Sequence, residues 1–200
     1  MIITLHLKLL LLFIFISSLT NTSKLVFAKE QYNVSEVCKV TRYPSLCIHS
    51  LEPFSLSEGR SLSNWARVGV SVTIGEVKSV QAYLTRLKRQ GHFKGRNKVA
   101  LLDCIETFQY ALDELHSSLS VLRRLSKSTF STQMGDLNAW LSAALTDEDT
   151  CLDGFEGNKE RKIKLLRNQV LKAYYITSNA LALVNKLATT GLGSISDLDP

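Results

Sequence analysis

Four cysteines are the residues of this chain best suited to covalent chemistry: Cys38, Cys47, Cys104 and Cys151. Their spacing contains no Cys-x-x-Cys pair and no matching pair of histidines, and the fragment Cys47-Ile48-His49 supplies too few ligands for a metal, so a zinc site is not indicated. An even number of cysteines is instead typical of disulfides formed in an oxidising compartment. Counting alone leaves three pairings open.

Groups for catalysis are sparse. No Gly-x-Ser-x-Gly motif, phosphate-binding loop or paired-carboxylate signature occurs, and no histidine after residue 28 lies near a candidate nucleophile. The acidic cluster Asp147, Glu148, Asp149 and Asp153 does not have the spacing of a calcium loop, and an exposed acidic edge of a helix is the favoured interpretation. We therefore expect no enzymatic activity, no metal and no cofactor, and a protein that works by binding.

The elements that would position these residues are four long helices. Each of four segments carries apolar or small residues at alternating steps of three and four, which line one side of a helix in a bundle. The second is the most regular, and in the third Glu148 interrupts the series between Ala144 and Cys151. Ser61 or Ser63 is predicted to cap the first helix, Gly91 to end it, Gly95 to open the second and Gly157 to end the third.

Short connectors predict antiparallel neighbours and an all-α fold: an up-down-up-down four-helix bundle over 61–189, preceded by a helical hairpin over 34–54. Residues equidistant from a turn lie opposite each other in such a pair. The midpoint of Cys104 and Cys151 falls in the turn between the second and third long helices, and that of Cys38 and Cys47 falls beside Pro44. The predicted disulfides are therefore Cys38 to Cys47, which staples the hairpin, and Cys104 to Cys151.

The first 28 residues are predicted to be a secretory signal peptide. An apolar run, Leu9 to Ile16, follows Lys8, and small residues precede the expected cleavage after Ala28. The run is too short for a membrane anchor, which needs roughly 20 apolar residues. We expect a soluble, extracellular domain over 29–190 and a tail over 191–200. Asn33, in Asn33-Val34-Ser35, is the one glycosylation sequon after the cleavage site.

The overall charge is mild. The chain has 24 lysines and arginines against 18 acidic residues, and loss of Lys8 and Lys24 with the leader brings the net charge to +4. A nucleic-acid-binding protein would carry a strong basic stripe, so that class is set aside, and no membrane partner is expected. The acid-free stretch Arg86 to Lys98 is basic enough to contact acidic pectin, although a solvated loop is the commoner explanation of such a cluster.

Three segments carry a resemblance: Val37 to Cys47, Leu101 to Ala111 and Trp140 to Asp153. They resemble the plant invertase and pectin methylesterase inhibitor family, and the likeness covers essentially the whole mature chain. It implies a four-helix bundle with an N-terminal hairpin that acts as a secreted enzyme inhibitor in the cell wall.

The same resemblance separates two targets. Cell-wall invertase inhibitors of this family carry a Pro-Lys-Phe motif between the second and third long helices. This chain has Lys127-Ser-Thr-Phe130 there, with no Pro-Lys before the phenylalanine. The run Phe130 to Trp140 is similar to pectin methylesterase inhibitors, which favours pectin methylesterase over acid invertase. A wall protein that holds pectin without inhibiting an enzyme is a further alternative.

The resemblance also implies a reversible one-to-one complex in which the side of the bundle covers the pectin-binding cleft of the enzyme. The expected target-binding residues are Glu106, Thr146, Asp147, Asp149 and Thr150. For Thr150 and Asp153 the alternative is a local role, capping or ordering the turn around Cys151, because Thr and Asp readily bond nearby backbone.

Overall fold

The computed structural model describes residues 32–55 and 61–191, and every regular element in these ranges is a helix. The hairpin consists of α1 (Val34–Cys38) and α2 (Pro44–Leu51), followed by a 3-10 turn at Glu52–Phe54. The four long helices are α3 (Leu62–Gln90), α4 (Gly95–Leu122), α5 (Phe130–Asp153) and α6 (Arg161–Thr190), with a 3-10 turn at Lys127–Thr129 before α5.

The long helices form a closed ring in which α3 packs on α4, α4 on α5, α5 on α6, and α6 back on α3. Two contacts show that α3 and α6 run antiparallel. Glu76 of α3 meets Lys172 of α6 at 2.8 Å, and Gly69, two turns earlier on α3, lies against Ala180, two turns later on α6. The predicted up-down-up-down bundle is therefore confirmed. The faces α4–α5 and α3–α6 lie on opposite sides of it.

Local signals set most of the helix ends. The hydroxyl of Ser61 accepts a hydrogen bond from the Asn64 backbone N–H at 3.4 Å and caps α3, and Gly91 ends that helix in the left-handed conformation, φ 68°. Gly95 is the first residue of α4, as predicted. The prediction for Gly157 is wrong: α5 ends at Asp153, and Gly157, φ 73°, supplies the left-handed residue of the turn that follows.

The core lies between the four helices. The apolar or small residues predicted to line one side of each helix form its seam. Of these residues, only Leu87 and Ile105 are partly exposed, and both still pack on the core. Phe108, Leu115, Leu141 and Leu166 are among the fully buried side chains. Burial of a leucine or phenylalanine side chain stabilises a fold by about 1.5 to 3 kcal/mol, so this seam is the main source of stability.

The two disulfides have the predicted pairing. Cys38 bonds to Cys47 in the hairpin, and Cys104 bonds to Cys151 between α4 and α5, with Cα atoms 4.5 Å apart. The hairpin is docked on the bundle by Asn179 of α6, whose side-chain amide donates to the Tyr43 carbonyl at 3.0 Å and accepts from its N–H at 3.1 Å. The Tyr43 and Tyr175 rings stack at 4.1 Å.

Predictions on the leader (1–28) concern residues outside the described ranges, as do those on residues 192–200 of the tail. Within 32–55 and 61–191, no helix combines the length and apolar character needed to cross a membrane.

Candidate functional site

The residues expected to contact a target lie on two neighbouring helices, α4 and α5. Glu106 is exposed on α4, and on α5 Thr146, Asp149 and Thr150 are exposed while Asp147 is half-buried. The Cys104–Cys151 disulfide lies between these two groups of residues and fixes the separation of the helices there. The structure thus places the predicted residues on two disulfide-linked helices, with Asp147 facing α4 and Asp149 on the opposite flank of α5.

Tyr110 extends this surface. Its hydroxyl donates to Glu106 Oε1 at 2.7 Å, and the ring is exposed by 51%. That hydrogen bond, with the negative charge of Glu106 and the weaker effect of Asp147, raises the pKa of Tyr110. An exposed tyrosine with a fixed hydroxyl is well suited to a protein interface because it buries a large area at low entropic cost.

Glu114 and Asp147 form a pair of carboxyl groups across the α4–α5 groove. Partial burial, then the charge and hydrogen bond of Asp147, raise the pKa of Glu114 to about 7. Burial also raises the pKa of Asp147, while the hydrogen bond from Glu114 opposes that shift. The two therefore share a proton in acidic solution, with Glu114 as the donor.

Glu114 is not among the residues predicted from the sequence to contact a target. It stands one helical turn after Tyr110 and two after Glu106 on α4, and that spacing is the signal that would have placed all three on one face.

The hydroxyls of the two threonines are engaged within α5. Thr146 donates to the Ser142 carbonyl at 3.0 Å and Thr150 to the Thr146 carbonyl at 2.7 Å. Thr150 therefore bonds local backbone inside the helix rather than the turn beyond it. Both hydroxyl oxygens keep lone pairs for a partner, and their methyl groups add apolar area to the face.

Glu148 corrects the interpretation of the acidic cluster as an exposed edge. Its side chain is completely buried between α5 and α6, where Oε1 lies 2.8 Å from the Thr177 hydroxyl and Oε2 has no hydrogen-bond partner. Burial raises its pKa to about 8. The polar side chain suggested exposure, but the position continues the seam from Ala144 to Cys151 at the helical spacing, and that spacing is the signal for burial.

The geometry favours a neutral Glu148. The Thr177 hydroxyl lies 3.0 Å from the Ala173 carbonyl as well as 2.8 Å from the glutamate, yet it has a single proton. If Thr177 donates to Ala173, a protonated Glu148 donates to Thr177 and both contacts are satisfied. A buried carboxylate would have to leave one of them unmade.

The surface charge of this face has one sign. From Val99 to the end of α4 at Leu122, and throughout α5, the chain has aspartate and glutamate but no lysine or arginine. Within the described ranges no group of three or more His, Cys, Asp or Glu side chains is placed to hold a metal ion. The arrangement is a rigid acidic surface that can accept hydrogen bonds from polar and cationic groups of a partner.

Comparison with known proteins gives a consistent picture. The family model "Plant invertase/pectin methylesterase inhibitor" matches residues 32–183. Pectinesterase inhibitor 6 of Arabidopsis thaliana is 44% identical over 174 residues, which cover 86% of this chain and 83% of the relative. Pectinesterase inhibitor 9 of the same plant is 37% identical over 169 residues, 80% of this chain and 81% of the relative.

A crystal structure of a mutant form of a pectin methylesterase inhibitor from Arabidopsis superimposes on this fold with a TM-score of 0.63. The match covers 77% of this chain and 96% of that one, at 23% sequence identity. At that identity the structural match supports the architecture alone.

Proposed function

The chain belongs to the plant invertase/pectin methylesterase inhibitor family, and from that premise we propose that it inhibits pectin methylesterase. The observation that carries the proposal is the 44% identity to a pectinesterase inhibitor across 83% of that relative. Such proteins act by binding an enzyme rather than by catalysis, so no catalytic residue is assigned. Demethylesterification of pectin would be limited because the bound inhibitor occupies the enzyme.

The inhibitory surface in this proposal is the α4–α5 face. Glu106, Thr146, Asp147, Asp149 and Thr150 would contact the enzyme around its pectin-binding cleft in a reversible one-to-one complex, and substrate would be excluded sterically. A stable complex of this kind buries roughly 1,200 to 2,000 Å² in total, which one side of a bundle can supply. The disulfide between α4 and α5 supports the proposal because a pre-organised face loses little entropy on binding.

The alternative target, acid invertase, has less support. Its inhibitors in this family present a phenylalanine from a Pro-Lys-Phe motif before the third long helix. Here Phe130 is the first residue of α5, only 9% exposed and part of the core, and Lys127–Thr129 form a 3-10 turn. A buried ring cannot enter an enzyme pocket without local unfolding, which favours pectin methylesterase.

The decisive experiment mixes the purified mature protein with a plant pectin methylesterase and, separately, with cell-wall and vacuolar acid invertases. We expect dose-dependent loss of esterase activity, saturating at one inhibitor per enzyme, and unchanged sucrose hydrolysis. Inhibition of an invertase alone would overturn the proposal and establish the alternative target.

We also propose that the protein is secreted to the cell wall and glycosylated on Asn33. The leader pattern of residues 1–28 and the family support secretion. Asn33 is exposed, and its Oδ1 accepts from the Glu36 backbone N–H at 2.8 Å as the cap of α1, whereas a glycan is attached through Nδ2. Protein expressed in plant cells should lose mass on glycosidase treatment, and an unchanged mass would refute the modification.

Contact with acidic pectin is a separate proposal. The exposed cations of the stretch Arg86 to Lys98 support it, and it does not depend on the inhibitory face.

A further inference from the structure

Charge is segregated between the two sides of the bundle. Helix α6 carries lysines and arginines but no acidic residue, and α3 carries five basic residues with Glu76 as its single acidic one. The α4–α5 side has the opposite character, since no lysine or arginine occurs after Lys98 in α4 or anywhere in α5. Because α3–α6 and α4–α5 are opposite faces of the ring, the molecule is strongly bipolar although its net charge is small.

Two segments rich in lysine and arginine, residues 86–98 and 159–164, meet at one end of the bundle. The antiparallel topology places the α3–α4 and α5–α6 connectors at the same end, and three contacts join them. The Asn158 side-chain amide donates to Asn97 Oδ1 at 3.0 Å, the Asn97 amide lies 3.5 Å from Glu160 Oε1, and the Lys162 ammonium lies 5.5 Å from the centre of the Phe93 ring. Sequence separates these connectors by about sixty residues, so only the fold brings their charges together.

The basic end is the surface formed by the exposed cations of both connectors and the helix turns beside them: Arg86, Lys88, Arg89, Lys94, Arg96, Lys98, Lys159, Arg161, Lys162 and Lys164. The acidic residues of the two connectors and the adjoining helix turns are Asp153, Glu156 and Glu160. Glu160 is already engaged, with Asn97 at one oxygen and Lys162 at the other at 3.9 Å. The cations are therefore in large excess.

Apolar side chains are exposed among these cations. Val99 is 58% exposed on the first turns of α4, and Leu165 is 53% exposed on α6 beside Arg161 and Lys162. A surface that alternates cationic groups with small apolar patches suits a sugar acid polymer, whose rings offer C–H faces between the carboxylates. A small anion would use only the charges.

We propose that the basic end binds an acidic polysaccharide, namely polygalacturonate, the demethylesterified form of pectin. The choice of ligand rests on the proposed function, because demethylesterified pectin is the product of the enzyme that the chain is proposed to inhibit. A cationic surface binds a polyanion largely through release of condensed counterions, so the complex is salt-sensitive. Methylesterified pectin has few charges and does not bind in this way.

The bipolar charge also orients the complex. The acidic α4–α5 face repels polygalacturonate, which directs the polymer to the basic end and away from the inhibitory face. An inhibitor held in this way stays on stretches of pectin that the enzyme has already demethylesterified, next to the enzyme molecules that produced them.

The test measures retention of the purified mature protein by affinity electrophoresis in gels that contain polygalacturonate or highly methylesterified pectin, over a range of NaCl concentrations. We expect strong retention by polygalacturonate, steadily lost with salt, and little retention by the methylesterified polymer. Lys94→Glu with Lys164→Glu places one reversed charge in each of the two basic segments, just before α4 and in the first turn of α6, and should weaken binding at least about tenfold.

The matched control is Arg123→Glu with Arg124→Glu, the same change of charge at the opposite end of the bundle, where both arginines are exposed. It should bind polygalacturonate within about twofold of the parent, and both variants should keep the melting temperature of the parent. Equal loss in the two variants would overturn the proposal, because net charge rather than the basic end would then explain binding. Equal retention by both polymers would overturn it too.

Esterase inhibition separates this proposal from the one on which it rests. The Lys94 and Lys164 variant should inhibit pectin methylesterase as well as the parent does, and inhibition should persist with polygalacturonate bound. A parent that binds polygalacturonate but inhibits no esterase would refute the proposed function and support the basic end. A parent that inhibits the esterase but is not retained by polygalacturonate would refute the basic end alone.

Discussion

Helix α5 carries neighbouring carboxyl groups with opposite roles on its inner and outer faces. Glu148 points into the bundle and is fully buried, and its side chain hydrogen-bonds to the Thr177 hydroxyl. Asp147 and Asp149, its neighbours along the chain, lie half-buried and exposed on the outer side. Successive residues of a helix are separated by about 100°, so three consecutive acids sample three environments. The inner acid therefore bears on stability, and the outer ones are the acids proposed to contact the target.

The largest effect should come from the inner face. The pKa of Glu148 is about 8 in the fold against 4.5 for an ordinary glutamate, so the folded state binds the proton more tightly than the unfolded chain. Its contribution to stability is fully present below about pH 4.5 and is lost as the pH rises towards about 8. From the size of this shift, the loss is on the order of 5 kcal/mol.

Glu148→Gln keeps the contact with Thr177 and removes the titration. The variant should match the parent in unfolding free energy near pH 4 and exceed it by on the order of 5 kcal/mol above pH 8. Chemical denaturation between pH 4 and pH 9 measures the difference. Asp149→Asn is the matched outer-face control and should stay within about 0.5 kcal/mol of the parent. A Glu148→Gln curve parallel to that of the parent would show that this carboxyl ionises normally.

The next effect concerns the outer face. Thr146→Arg with Asp149→Lys should leave helical content and melting temperature nearly unchanged because both residues are exposed. Inhibition of pectin methylesterase should weaken at least about tenfold, since a mis-charged group buried at an interface costs on the order of 2 kcal/mol. The inhibition constant from titration of the esterase gives the answer.

Reversal of Lys88 and Arg89 is the control for that experiment, because both are exposed in the last turn of α3, outside α4 and α5. It should leave the inhibition constant within about twofold of the parent value. If the Lys88 and Arg89 variant fails to inhibit while the α5 variant inhibits normally, the inhibitory face has been placed on the wrong side of the bundle.

The smallest effect should come from Glu114, which lies between the two environments. Its pKa of about 7 means that its contribution to stability also falls as the pH rises, from about 4.5 towards 7. Because the group is only partly buried and water screens it, Glu114→Gln should exceed the parent by only about 1 kcal/mol above pH 8. A gain as large as that of Glu148→Gln would mean that the α4–α5 groove is as dry as the core.

Much of the fold could be predicted because the signals are local. The three-and-four spacing of Leu101, Phe108 and Leu115 defines one side of α4 whatever packs against it. Short connectors then force antiparallel neighbours, and the midpoint of Cys104 and Cys151 follows from that geometry. Ser61 and Gly91 mark the ends of α3 through their own backbone preferences.

The sequence by itself therefore determined the helices, their antiparallel order and the disulfides. The tertiary structure alone decided what surrounds each polar side chain. From sequence alone Glu148 is predicted to be a surface acid, and only its packing against Thr177 of α6 shows that it is buried. Glu114 has a partner only because α5 places Asp147 across the groove. The two basic segments, 86–98 and 159–164, come together only because the four helices close into a ring. Periodicity follows from the geometry of one helix, whereas desolvation and charge pairing depend on which neighbouring helix lies opposite.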